Sequence, residues 1–203
     1  MSGAVAEATA GVRKLRRAEF PELLREIHDP PRVLYLRGAG EVELLARPAI
    51  AIVGARACST YGSQVARMLG RELAGAGLVV VSGLARGVDG EAHRGALEAE
   101  GVTVAVLGCG IDRDYPAAHT QLARRICERG LVVSEYEPGV EPAPWRFPAR
   151  KRMSRIGERF SLNHAFLSAV NVVESCARVA LVRPRTCSDG DSVLANGRVR
   201  LRV

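Results

Sequence analysis

From Ala49 onward, short uninterrupted apolar runs closed by Gly or Ser alternate with amphipathic segments of helical length. The runs are Ile50-Ala51-Ile52-Val53, Val79-Val80-Val81, Val102-Thr103-Val104-Ala105-Val106-Leu107 and Leu131-Val132-Val133. They are too short for helices and lack polar alternation. As strands they must be covered on both faces, which is what a parallel sheet requires. Helices are predicted near 62–76, 90–99 and 117–128. Strand, helix, strand at this spacing predicts an α/β fold with a doubly wound, mostly parallel sheet and right-handed crossovers.

The flanking segments read differently. Between Arg13 and His28, charged residues alternate with Leu15, Phe20, Leu23, Leu24 and Ile27 at a rough helical period interrupted by Pro21, which predicts a small helical lead-in over residues 1–31. After the Asp29-Pro30-Pro31 turn, Val33-Leu34-Tyr35-Leu36-Arg37-Gly38 reads as an edge strand. The stretch from Val140 to Phe147 is Pro-rich and reads as a surface connection leading to the cations Arg146, Arg150, Lys151, Arg152 and Arg155.

Composition narrows the function classes. With 47% hydrophobic and 25% charged residues, the chain has the make-up of an ordinary water-soluble globular protein. A net charge of +7 favours an anionic partner such as nucleic acid or a nucleotide. Almost all the positive charge is arginine, Lys14 and Lys151 being the only lysines. That suits bidentate phosphate contacts and stacking, and equally a genome that prefers arginine codons. Five scattered cysteines, with no CxxC pair, encode neither a disulfide framework nor a zinc site. The first ten residues lack the basic start and apolar run of a signal peptide. A cytoplasmic location with reduced thiols and no membrane contact is the expectation.

In an open α/β sheet, ligands bind beyond the carboxyl ends of the strands, so the loops there carry the functional signal. In the first, Gly54 lets backbone approach a phosphate, Ser59 and Thr60 offer a helix N-cap, and Arg56 adds charge where a helix N-terminus already favours an anion. A tight turn with a solvated arginine satisfies the same residues. A dinucleotide fingerprint would need an acidic residue closing the next strand, and that strand ends in Val81-Ser82-Gly83, so NAD is disfavoured and no cofactor is expected. The second loop keeps backbone open at Gly83, Gly87 and Gly90, and Ser82 offers a donor. His93 lacks a partner nucleophile on a GxSxG elbow and reads as structural, so no catalytic residue is expected. In the third loop Gly108 and Gly110 follow a buried strand, and Asp112 and Asp114 read as caps rather than metal ligands. The fourth, Ser134-Glu135-Tyr136, leads to Phe147, an aromatic among cations of the kind that single-strand binding uses and also of the kind that simply packs on a domain.

Taken in order, VGARACSTYG, SGLARGVDGEAH, VAVLGCGIDRDYP, SEYEPG and FPAR resemble the DNA-processing protein A family (DprA, also called Smf) over residues 32 to 152. The resemblance implies an extended Rossmann-like fold, a homodimer, binding of single-stranded DNA without sequence preference, and help in loading RecA during natural transformation and recombination. It implies no catalysis. By position, Gly54, Arg56 and Ser59 would contact a DNA phosphate, Ser82 and Gly83 would line the pocket, Gly108 and Gly110 would shape its floor, and Phe147, Arg150 and Arg152 would complete a basic rim.

Beyond FPAR the chain departs from the family pattern. Lys151-Arg152-Met153 replaces Asn-Arg and two aliphatics, and Ser154 to Phe166 reads as an insertion. The segment Leu167 to Ser175 resembles the family's LSxAVVVVEA, but the Ser-Gly loop and helix expected next are missing. A strand from Val179 to Val182 is the last recognisable element. The family-like domain is therefore set at residues 32–182, with an unassigned tail at 183–203. A missing helix would uncover one face of the sheet. Two other functions remain compatible with a phosphate pocket: a nucleotide-binding regulator, and a nucleoside-monophosphate-cleaving enzyme, although the latter's PGGxGTxxE motif is absent.

Overall fold

The computed structural model describes residues 11–26 and 29–146 together with the backbone of 177–182. Among the described residues seven strands form one sheet in the order β1-β2-β6-β5-β4-β3-β7. They are β1 (Arg13–Arg16), β2 (Val33–Arg37), β3 (Ala49–Gly54), β4 (Val79–Ser82), β5 (Thr103–Gly110), β6 (Leu131–Tyr136) and β7 (Ala177–Val182). Strands β3 to β6 are parallel, as their apolar runs predict, and the Rossmann-like α/β architecture stands on them. β2 runs antiparallel beside β6 and β7 antiparallel beside β3.

A helix follows each of the first three parallel strands. α2 (Thr60–Gly75) starts at Ser59, whose Oγ accepts the Gly62 N–H at 3.1 Å, and buries Ala66, Leu69, Gly70, Leu73 and Ala74 at three- and four-residue spacing. α3 (Val88–Glu98) buries Val88, Ala92 and Ala96 on the same rhythm. α4 (Thr120–Arg129) buries Leu122, Ala123 and Ile126 and stops at Gly130, whose N–H returns to the Ile126 carbonyl before the chain enters β6. α1 (Glu22–Arg25) is a single turn.

Side-chain alternation along the strands divides the core. Ile50, Ile52 and Val80 pack under α2 and α3, and Ala105, Leu107 and Val132 under α4. On the opposite face Ala49, Val79, Val81, Val104, Val106, Leu131 and Val133 pack with Leu15, Phe20, Leu24 and Leu44. All three crossover helices thus lie on one face. The order β3, β4, β5, β6 advances one neighbour at a time in one direction, and crossovers of constant hand then return every helix to the same side. Double winding was expected. Among the described residues the second face is instead covered by the N-terminal segment and the turn Val42–Ala46, leaving a small apolar cavity lined by Leu24, Leu34, Leu44, Val81, Val106 and Val133.

Two local expectations are corrected. Residues 13–16 are a strand, not the start of a helical lead-in, because only Leu15 is buried among flanking cations, a two-residue period; the strand pairs Arg13 with Leu36 through Arg16 with Val33. That pairing makes β2 an interior strand rather than an edge. β7 falls where the last strand was read, starting two residues earlier.

Candidate nucleic-acid interface

Because β3 to β6 are parallel, the loops that follow them meet along one edge of the sheet. β3 ends at Gly54 and the loop after it carries Arg56, both exposed, and leads to the Ser59 cap at the start of α2. Ser63 N–H donates to the Ser59 carbonyl at 2.9 Å, and Cys58 Sγ lies 3.1 Å from Ser63 Oγ, so the loop is fixed to the first turn of the helix. The positive end of the helix dipole there favours an anion beside Arg56.

The loop after β4 is clamped onto it. Gly87 adopts φ +74°, and a Cβ there would lie 2.8 Å from the Arg56 carbonyl oxygen. Val88 N–H donates to the Ala55 carbonyl at 3.2 Å. This contact sets Arg56 and the exposed Arg86 on adjacent loops. Gly87 and Arg86 were not singled out as site residues; the loop's glycine spacing was the available signal. Asp89, 3% exposed, and Glu91, paired with Arg94 at 2.6 Å, occupy the first turn of α3 and offset its positive end, so the α2 terminus is the more favourable for an anion.

Ser82 and Gly83 are buried. The ladder between β3 and β4 ends at Ala51 and Val81, and just past it Ser82 Oγ donates to the Ile52 carbonyl at 2.6 Å. Its one hydroxyl proton therefore ties two strands together where they begin to splay. Ser134 does the same between β6 and β5, donating to the Cys109 carbonyl at 2.6 Å beside a register shift in the ladder.

Gly108 and Gly110 are also buried, at the carboxyl end of β5. Gly110 N–H donates to the Val140 carbonyl at 2.8 Å, and a Cβ there would sit 2.7 Å from the Glu137 carbonyl, so the glycine shapes the seam between the β5 and β6 loops. The two aspartates of this loop are occupied: Asp112 accepts the Gly139 N–H at 2.9 Å and Asp114 pairs with Arg37 at 2.5 Å. Among the described residues no group of three or more His, Cys, Asp and Glu is placed to hold a metal. Arg113 pairs with Glu141 at 2.8 Å.

His93 is 0% exposed. Thr103 Oγ1 gives its proton to the Val80 carbonyl at 2.7 Å, so His93 Nδ1, 2.7 Å from the same oxygen, is the donor of that pair. The ring anchors α3 to β5 and does not face the edge where a ligand would sit. His119 has a similar task, donating from Nδ1 to the Leu84 carbonyl at 2.8 Å and joining the start of α4 to the second loop. Phe147, Arg150 and Arg152 lie outside the described residues. The structure therefore brings Gly54, Arg56 and Ser59 to one surface, and sets Ser82, Gly83, Gly108 and Gly110 behind it. Among the described residues no helix is long and apolar enough to cross a membrane.

Comparison with known proteins gives a consistent result. The profile of a family described as DNA recombination-mediator protein A matches residues 12–156. The chain is 43% identical over 134 residues to the DNA processing protein DprA of Streptococcus pneumoniae, a match covering 66% of this chain and 46% of that protein. The X-ray structure of the Streptococcus pneumoniae protein superposes with a TM-score of 0.67 at 38% identity, covering 74% of this chain and 53% of the other. DNA processing protein A from Helicobacter pylori, which binds single-stranded DNA, superposes with a TM-score of 0.64 at 35% identity, covering 71% of this chain and 65% of the other. The chain matches 32 to 46% of the length of the curated relatives.

Proposed function

The chain belongs to the DNA recombination-mediator protein A family, and from that premise we propose that it is a DNA-processing protein that binds single-stranded DNA along the carboxyl edge of its sheet without catalysing a reaction. The observation that carries the reading is Arg56, exposed beside the capped start of α2 on a loop that Gly87 and Val88 hold in place. A fixed cation at a helix N-terminus is a phosphate site independent of base sequence. Single-strand binding by the Helicobacter pylori relative supports the same assignment.

In this reading Gly54, Arg56 and Ser59 contact a phosphate, and Ser82, Gly83, Gly108 and Gly110 form the wall and floor that support them. Phe147, Arg150 and Arg152 extend the site as a basic rim. The wider role is that of a cytoplasmic homodimer that protects single strands and assists RecA loading in DNA uptake, natural transformation and recombination.

Fluorescence anisotropy of labelled oligo-dT and a matched duplex, at two salt concentrations, tests the reading. Wild type binds the single strand preferentially and loses affinity steeply with salt. Arg56→Ala weakens binding about tenfold, the value of one charge-assisted contact, and flattens the salt slope by about one. Unchanged affinity in Arg56→Ala at moderate salt overturns the pocket, and no binding by folded wild type overturns the function.

A further inference from the structure

Among the described residues three large hydrophobic side chains stand exposed: Tyr61 at 58%, Tyr115 at 43% and Trp145 at 72%. Each belongs to a segment that follows the carboxyl end of a parallel strand. Tyr61 lies in the first turn of α2 after β3, Tyr115 in the loop after β5, and Trp145 in the segment after β6. No other part of the described surface carries such a residue. Aromatic surface left in water forgoes the stabilisation that burial provides, so its confinement to the edge that carries Arg56 points to a ligand with flat apolar faces.

Trp145 is presented by a braced turn. Ala143 is buried, and Arg146 N–H donates to its carbonyl at 3.0 Å. The Arg146 guanidinium lies 5.0 Å over the Tyr136 ring and donates to the Glu141 carbonyl, while the Glu141 carboxylate pairs with Arg113. These contacts leave the neighbouring indole outward. At the opposite end, Tyr61 stands two positions past the Ser59 cap, beside the proposed phosphate site.

We propose that Tyr61, Tyr115 and Trp145 form a row on which unpaired nucleobases stack while Arg56 and Arg86 hold the backbone, an inference that rests on the single-strand reading above. β3 and β6, whose carboxyl ends lead to Tyr61 and Trp145, are separated by β4 and β5, which at the usual strand spacing sets those strands roughly 14 Å apart, the scale of a few nucleotides. Stacking on such a row tolerates any base, because every base has a π-face. It also rejects duplex, whose base faces already cover one another, so the row supplies a preference for single strands that phosphate contacts alone lack.

Trp145 is the only tryptophan in the chain, so its emission reports on this surface directly. The full-length protein is titrated with labelled oligo-dT and with an abasic phosphodiester of equal length, following both label anisotropy and tryptophan emission. The row predicts that oligo-dT quenches the emission and the abasic strand does not. Trp145→Ala and Tyr61→Ala each weaken oligo-dT binding roughly fivefold, leave abasic binding within about twofold, and are rescued by Trp145→Phe and Tyr61→Phe. Unquenched wild-type emission together with unchanged oligo-dT affinity in both alanine variants, while wild type still binds, overturns the row and leaves the single-strand reading standing. Failure of folded wild type to bind either oligomer overturns that reading and the row with it.

Discussion

Gly87 is the residue on which the geometry of the edge most depends. Its φ of +74° is strained for any L side chain, and a Cβ would press on the backbone carbonyls of Ala55 and Arg56. Gly87→Ala is expected to cost about 1–3 kcal/mol in urea denaturation and to push the Arg56 loop away from α3, so that DNA affinity falls even where the variant is fully folded. The glycine was visible in the sequence as an open-backbone position, but its partner was not, since the contact joins loops that follow different strands. Ser82 shows the same limit. A serine closing a strand has one signature whether its proton goes to a ligand or to the next strand, and here it goes to Ile52.

Between elements, α2 and α3 lie unusually close. A Cβ on Gly95 would collide with the Arg67 carbonyl, and one on Gly70 with the backbone of Ala92, so each glycine admits the other helix's backbone. Gly95→Ala is expected to lower stability by about 1–3 kcal/mol, seen as a lower urea midpoint with an unchanged slope. Arg67 also bonds Glu98 across the pair, and this hydrogen bond holds the Glu98 carboxyl below its usual range. A folded-state value below the unfolded one stabilises above the unfolded value and is lost as pH falls through the folded one. Both groups are well exposed, so Glu98→Gln should cost no more than about 0.5 kcal/mol at neutral pH, and the difference from wild type should vanish in the acid range below the ordinary carboxylate value. The parallel strands and their helices were legible because each short apolar run is closed by Gly or Ser and alternates with a segment of helical length, so the rhythm of the whole assigns each piece. Arg13–Arg16 was not: one buried leucine among cations fits a two-residue period as well as a helical one until a partner strand is known.

At the scale of the molecule, the second face of the sheet is covered, among the described residues, by little chain. Leu24 and Phe20, 0 and 2% exposed, cover strand residues that the crossover helices do not reach, and Leu24 borders the apolar cavity. Leu24→Ala would enlarge that space, so a loss of about 2–5 kcal/mol is expected, measured by chemical denaturation and by increased binding of a hydrophobic dye. The class of fold was readable from the rhythm of the sequence, whereas the face on which each helix packs depends on strand order, which periodicity does not encode. The candidate loop is placed by the same logic: Gly54 closes the first parallel strand and Arg56 and Ser59 follow it, so locating that strand locates the residues proposed to meet a phosphate.

The late pairing of β7 with β3 has a consequence for how the protein is made. Gly54 leaves the ribosome more than a hundred residues before its partner Ala177. At about 5–20 residues per second, one flank of β3 waits on the order of ten seconds for the strand that pairs with it in the finished sheet. Throughout that interval an apolar strand edge whose outer backbone groups bond only water would be open to pairing with neighbouring chains on the polysome, so the yield of native protein is expected to fall with crowded or stalled translation.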